Sequence, residues 1–290
     1  ACAFTHFIIC DVAKRRRASL GLDLWRFLNK YSEFVYFGAA SPDLPYLSFK
    51  TGAVNWADVM HYEKTNSIAI SGHSELKKAW PAKSPSDETR LAWLLGFISH
   101  LVVDATIHPI VQAIVGPYEL NKEEHRICEM TQDSVVFNEN KNTDIYYAEF
   151  SSILKFCRES PAFDALIDFW KNQILNNYSD KNEEPEPGLW FNTYTKAIDA
   201  AEGGSDIVAL FRHIGVAEKF LYKPKAEIVS KEPDSYKKYY TEAKLPTGAA
   251  ASFKKEGFER AVNNVIATWN MLYSGLSADI VVADTIKNWN

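Results

Sequence analysis

The stretch from Leu91 to Val115 constrains this chain most. It is the most apolar segment of the sequence, yet His100, Asp104 and His108 interrupt it at intervals of four, in LGFISHLVVDATIHP. A run broken in this way falls short of the roughly 18 to 20 uninterrupted apolar residues of a membrane-crossing helix, so it reads as a buried helix of a folded interior. Each step of four residues along an α-helix turns about 40° and rises about 6 Å, which sets all three side chains on one face. A fold built on this segment must bury two imidazoles and a carboxylate together. That costs several kcal/mol unless the groups are compensated, and a metal ion is the economical compensation. His100 with Asp104 can grip one cation, while the second carboxylate oxygen of Asp104 can bridge to another.

Further groups of the same chemistry follow this pattern. His125 and Glu129, in NKEEHRICEM, are again four residues apart on an expected helix and suit one ion. Upstream lie His6 in FTHFIIC, His61 in WADVMHYEK, and Asp43 in SPDLPY, where Pro42 and Pro45 stiffen the loop that aims its carboxylate. Imidazole and carboxylate ligands without a thiolate requirement point to zinc, ahead of manganese or iron. His73 and His213 stand outside the pattern; His73 reads as a helix-entry or surface residue, His213 as surface or core.

Apolar residues recur at helical spacing and alternating runs are few, so the expected fold is all-α. Helices are expected near 20–33, 67–78, 87–114, 120–136, 145–157, 161–177, 190–202, 205–221 and 256–287, with Ser86 capping the third. Loops are expected at Gly38 to Tyr46, Asn177 to Gly188 and Pro224 to Pro246. With 290 residues, 47% of them hydrophobic, the chain can bury a sizeable core as one helical domain, residues 1–290, or carry a helical appendage after about residue 180. Its four cysteines show no CxxC and no regular spacing, which fits reduced thiols. The amino-terminal stretch is apolar first and basic after, the reverse of a secretory leader, so a cytoplasmic location is expected, or a secreted one for an already processed chain. The basic run Lys14, Arg15, Arg16, Arg17 reads as a solvated helix start, and a net charge of -5 argues against double-stranded nucleic acid as a partner.

Taken in order, His6, PDLP, DVMHYE, SHLVVDATIHP and EEHRICEM resemble the zinc-dependent phospholipase C family, the helical fold that includes the catalytic domain of bacterial alpha-toxin; fungal single-strand nucleases share its tri-zinc architecture. The resemblance runs from His6 to about Phe137. It implies a helical phospholipase C or nuclease-like domain binding two to three zinc ions. Asp43, His61, His100 and Asp104 would hold one zinc; Asp104 would bridge to a second, shared with His6; His108, His125 and Glu129 would hold a third. In the family the second site is completed by the first residue of the mature chain, usually Trp, whereas this sequence begins with Ala1. The spacing from Asp104 to His108 is tighter than in the secreted members, and about 150 residues after Glu129 carry no matching motif.

The chemistry expected from these residues is metal-assisted phosphodiester hydrolysis of a phospholipid or small phosphodiester, at or near a membrane surface. Three divalent ions against Asp43, Asp104 and Glu129 leave a local charge of roughly +3 that attracts a phosphate. A water bridging two zinc ions would be the nucleophile, with Asp43 orienting it or accepting its proton, and the third ion would stabilise the leaving oxygen. Tyr46, Trp56, Tyr62 and Tyr118 are candidates for a headgroup or base pocket, or for core and rim packing. A tri-zinc nuclease-like phosphoesterase, and a non-catalytic helical binding protein stabilised by metal, are the alternatives. A His-Asp phosphohydrolase is disfavoured because the chain has no His-Asp dipeptide, and a serine hydrolase because it has no GxSxG elbow.

Overall fold

In a computed structural model of the chain, residues 3–48, 52–145, 150–203 and 222–278 are described. They are all-α apart from one two-residue antiparallel pairing, Ala243–Lys244 with Ala250–Ala251. The helices are α1 Ala3–Arg15, α2 Arg17–Leu20, α3 Leu22–Lys30, α4 Ser32–Ala40, α5 Ala53–Tyr62, α6 Ser67–Ala79, α7 Pro85–Val115, α8 Lys122–Lys141, α9 Ser151–Glu159, α10 Phe163–Asn177, α11 Pro187–Gly203, α12 Lys225–Lys231, α13 Pro233–Tyr236 and α14 Arg260–Gly275. The expected helix at 205–221 and His213 lie outside the described residues.

Several local expectations are corrected. The helix read near 20–33 is broken at Gly21, which takes a φ of +72°, and again at Tyr31. Gly38 to Tyr46 is not a loop: Gly38 to Ala40 finish α4, and Ser41–Leu47 is a short 3-10 turn carrying Pro42 and Pro45. The lysine-rich stretch 224–246 contains α12, α13 and a π-helical turn at Lys237–Thr241. The long carboxy-terminal helix starts as a π-helical turn, Lys254–Glu259, before α14. The cap of α7 is Ser84, not Ser86. Ser84 Oγ accepts the Asp87 amide at 3.2 Å, and Asp87 returns the bond to the Ser84 amide at 2.9 Å, a reciprocal box with Pro85 at the first helical position. The basic run spans a helix junction: Lys14 and Arg15 occupy the last turn of α1, where cations complement the carbonyl end, Arg17 opens α2, and Lys14 and Arg17 lie over the rings of Tyr36 and Trp25.

The described chain divides into two units. One comprises Lys14–Leu101, Phe150–Asp199 and Ile266–Asn290. Its interior is aromatic, with Trp93, Trp170 and Trp190 fully buried and ring centroids 5.4 and 5.5 Å apart in succession. Trp93 Nε1 donates to Ser41 Oγ at 2.8 Å and Trp269 Nε1 to Ser99 Oγ at 2.8 Å, whereas the buried Trp170 Nε1 meets no acceptor among the described residues. Two glycines bring α4 and α7 into backbone contact within this unit. A Cβ at Gly38 would stand 2.0 Å from the Trp93 carbonyl oxygen, and one at Gly96 2.0 Å from that of Val35.

The other unit comprises Ala1–Ala13, Val102–Glu149 and Ala200–Val265. Here Phe4 packs edge-on against Phe137 and Tyr222, and Val111, Cys128, Val135, Phe253, Phe258 and Val262 are buried. By length and composition α7 would suffice to cross a membrane, but most of its apolar surface is buried within the chain. His73, expected near the surface, is 3% exposed and bonds through Nε2 to the Leu272 carbonyl at 2.9 Å, so it is a core histidine. Cys10, Cys128 and Cys157 are buried.

Candidate metal centre

In the first unit Asp43, His61 and His100 converge. His61 Nε2 lies 3.0 Å from His100 Nε2 and 3.3 Å from Asp43 Oδ1, and His100 Nε2 lies 3.7 Å from the same oxygen. The local sequence explains each position. The α4–α7 glycine contact carries His100 to the end of α4, where its Nδ1–H donates to the Ala39 carbonyl at 2.8 Å. The next turn, Ser41–Leu47, is tied back by Ser41 Oγ to the Phe37 carbonyl and presents Asp43. His61 ends α5, and its Nδ1–H donates to the Ala57 carbonyl one turn earlier at 2.7 Å. A carbonyl can only accept, so both rings carry a proton on Nδ1, which in the neutral imidazole leaves the Nε2 lone pair turned inward.

Those distances test the fit of a metal. Two lone-pair nitrogens facing each other across 3.0 Å repel unless a proton or a cation lies between them. Ligand atoms on a tetrahedral zinc with bonds of about 2.1 Å stand about 3.4 Å apart, which is the spacing seen in this triad. The residues fit the ion.

In the second unit His108, His125 and Glu129 form a like triad. Glu129 Oε1 is 3.4 Å from His108 Nε2 and 3.2 Å from His125 Nε2, again on the tetrahedral scale. Burial alone would raise the Glu129 carboxyl, but hydrogen bonds from His108 and His125, with the attraction of His108, hold it well below the usual carboxylate range. Asp104 Oδ1 lies 3.4 Å from His108 Nε2 and 3.3 Å from His6 Nε2, so α1 and α7 add an imidazole and a carboxylate beside this triad. All eight residues singled out in the sequence thus fall into these two clusters, and His100, Asp104 and His108 share one face of α7 as their spacing requires.

Each cluster has one open side. Asp43 is 34% exposed while its partners His61 and His100 are 7% and 1% exposed; His108 is 29% exposed while His125 and Glu129 are 6% and 8%. The rims are aromatic. The rings of Tyr46 and Tyr62 lie 5.6 and 6.0 Å from that of His61, and Tyr118 lies 5.0 Å from His125, whereas Trp56 is buried in the core. Tyr46 donates to Asp58 Oδ1 at 2.8 Å; burial, reinforced by that bond, raises its phenol and keeps it neutral. Cys128, next to Glu129, takes no part, because burial pushes its thiol well above the usual value.

One buried carboxylate escaped the sequence reading. Asp133 continues the four-residue row of His125 and Glu129 along α8 and is fully buried, but it faces α1. It accepts the Thr5 amide at 2.8 Å, the Phe4 amide at 3.2 Å and the Tyr222 hydroxyl at 2.8 Å. Its row position was the available signal. Nothing in the sequence says that its partner is a helix end 128 residues away.

Imidazole–carboxylate clusters of zinc spacing, each with an exposed edge on a helical scaffold, make this a helical protein with candidate metal sites. The zinc-dependent phospholipase C family model matches residues 5–181, and the chain belongs to that family. No curated protein and no solved structure matches it.

Proposed function

We propose that this protein is a zinc-dependent phosphodiester hydrolase acting on phospholipid headgroups, with Asp43 as the group that handles the proton of the attacking water. The observation that carries this reading is the exposed edge of the Asp43, His61, His100 triad. A purely structural zinc site is closed by four protein ligands, whereas a catalytic one presents three and keeps a position for water or substrate. Zinc held there, and by His108, His125 and Glu129 with His6 and Asp104 beside them, would supply Lewis acidity towards a phosphoryl oxygen and an acidified water.

The chain's own groups divide the remaining work. His61 and His100 are oriented by the Ala57 and Ala39 carbonyls, which turn each Nε2 towards the ion that the triad would hold. Asp43, the exposed member, is the carboxylate within reach of an entering water, and it can accept the proton released as the oxygen attacks phosphorus. Tyr46 and Tyr62 offer aromatic faces beside the same triad, suited to an organic headgroup and to its cation where it has one.

The test is turnover of phosphatidylcholine vesicles, followed by release of diacylglycerol, with a single-stranded oligonucleotide assayed in parallel. Asp43→Asn, which keeps an oxygen facing the ion but no proton acceptor, is expected to lose at least about 100-fold in rate at saturating zinc. Zinc content measured alongside separates lost metal from lost proton acceptance. Undiminished turnover by that variant would remove the role given to Asp43, and cleavage of the oligonucleotide alone would replace lipid by nucleic acid as the substrate.

A further inference from the structure

The first turn of α1 leaves backbone amides that no residue within the helix can satisfy. Phe4 and Thr5 give theirs to Asp133 on α8, at 3.2 and 2.8 Å. A cap of this kind normally comes from the residue just before the helix. Here it is supplied in trans by a fully buried carboxylate, which Tyr222 holds in place through a 2.8 Å bond from its hydroxyl. Phe4 closes the same contact with its ring, edge-on to Phe137 one turn beyond Asp133 and to Tyr222.

The clamp joins two helices that both carry ion-facing groups. On α8 they are His125 and Glu129, with Glu129 one turn before Asp133; on α1 it is His6, the residue after the clamped Thr5, with Nε2 3.3 Å from Asp104. A ligand atom must stand within about 0.2 Å of its ideal distance to bind zinc well, so the setting of α1 against α8 decides whether His6 contributes. We propose that Asp133 is a positioning residue of the metal centre: it docks the start of α1 on α8 so that His6 reaches the ion. The inference rests on the reading of His6 as a zinc ligand.

Asp133→Asn is nearly isosteric but presents one oxygen where the carboxylate has two. Its amide nitrogen confronts the Phe4 N–H, so α1 is released by one hydrogen bond without a cavity. Zinc stoichiometry and affinity are measured on the full chain by competition with a chromogenic chelator, for wild type, Asp133→Asn, His6→Ala and Val136→Ala. The last removes buried volume from α8 without removing any hydrogen-bonding group of the clamp, and controls for lost stability. The expected result is that Asp133→Asn weakens one ion by about 10- to 100-fold, the same ion that His6→Ala loses, while Val136→Ala at equal or greater loss of Tm retains it. Wild-type affinity in Asp133→Asn, with that ion lost in His6→Ala, overturns the positioning role and leaves His6 a ligand. Equal zinc loss in Asp133→Asn and Val136→Ala also overturns it, in favour of a merely structural role. A full zinc count in His6→Ala refutes the reading of His6, and the proposal with it.

Discussion

Gly96→Ala adds a single methyl group at the point where α4 and α7 touch, and its effect can be worked from the structure. The new Cβ would lie 2.0 Å from the Val35 carbonyl oxygen and 2.8 Å from the Ala39 amide nitrogen, where ordinary contact starts at 3.4 Å. Both obstacles are backbone, so no side chain can swing away. The helices must part locally by about 1.4 Å, the difference between the built and the tolerated contact. The same displacement stretches the His100 Nδ1 bond to the Ala39 carbonyl from 2.8 Å to about 4 Å, beyond hydrogen-bonding distance. Alanine gains about 1 kcal/mol over glycine in helix propensity. Against that stand about 1–3 kcal/mol for overpacking and about 1 kcal/mol for the lost hydrogen bond, the packing cost falling at its upper end for a clash with backbone. A net loss of about 3 kcal/mol follows, which for a chain of this size is a fall in Tm of roughly 6 to 12 °C.

Zinc binding is the more specific readout of this variant. Removing the partner that orients a ligating imidazole typically weakens binding by about 10- to 100-fold. Calorimetry together with chelator competition on wild type and Gly96→Ala gives both quantities, and Gly38→Ala is expected to behave alike, since its Cβ meets the Trp93 carbonyl at 2.0 Å. A Gly96→Ala protein that melts no lower than wild type and binds zinc as tightly would refute the close approach as the device that places His100.

Two further expectations can be checked on the same samples. Ser84→Ala should lose about 1 kcal/mol of stability through its cap on α7, whereas Ser86→Ala should lose none, as urea titration will show. His73 is held below its ordinary value of 6.5 by burial, against the opposing bond to the Leu272 carbonyl. The unfolded chain therefore takes up the proton first as the pH falls. The stability owed to His73 is complete above about pH 6.5 and declines as the pH drops towards the folded value. Melting curves between pH 7.5 and 5.5 in the presence of chelator should fall more steeply for wild type than for His73→Gln, and parallel curves would show that His73 does not titrate in this way.

Local spacing carried the ligand set and the helical class. His100, Asp104 and His108 are one turn apart, as are His125 and Glu129, and any helix formed over those residues must align them. The turn that presents Asp43 was legible as a stiff, proline-bounded segment, although its 3-10 geometry was not. α5 escaped notice although Ala53, Trp56, Ala57 and Met60 already hold helical spacing in its ten residues, because so short a run competes poorly with the loop signals around it.

What tertiary structure alone decided is which distant groups meet, and the physical reason is that an acceptor, a carbonyl or a gap between helices leaves no mark in the neighbouring sequence. α1 opens on Ala3, Phe4 and Thr5, and the amides of Phe4 and Thr5 are taken by a carboxylate far along the chain. The tautomers of His61 and His100 are set by backbone carbonyls, which every residue possesses. Gly38 and Gly96 read as ordinary small residues until two helix backbones are seen to touch at them. Residue types and periods singled out the candidate ligands and the helices α7 and α8 that bear five of them; only packing brought the side chains of each cluster together.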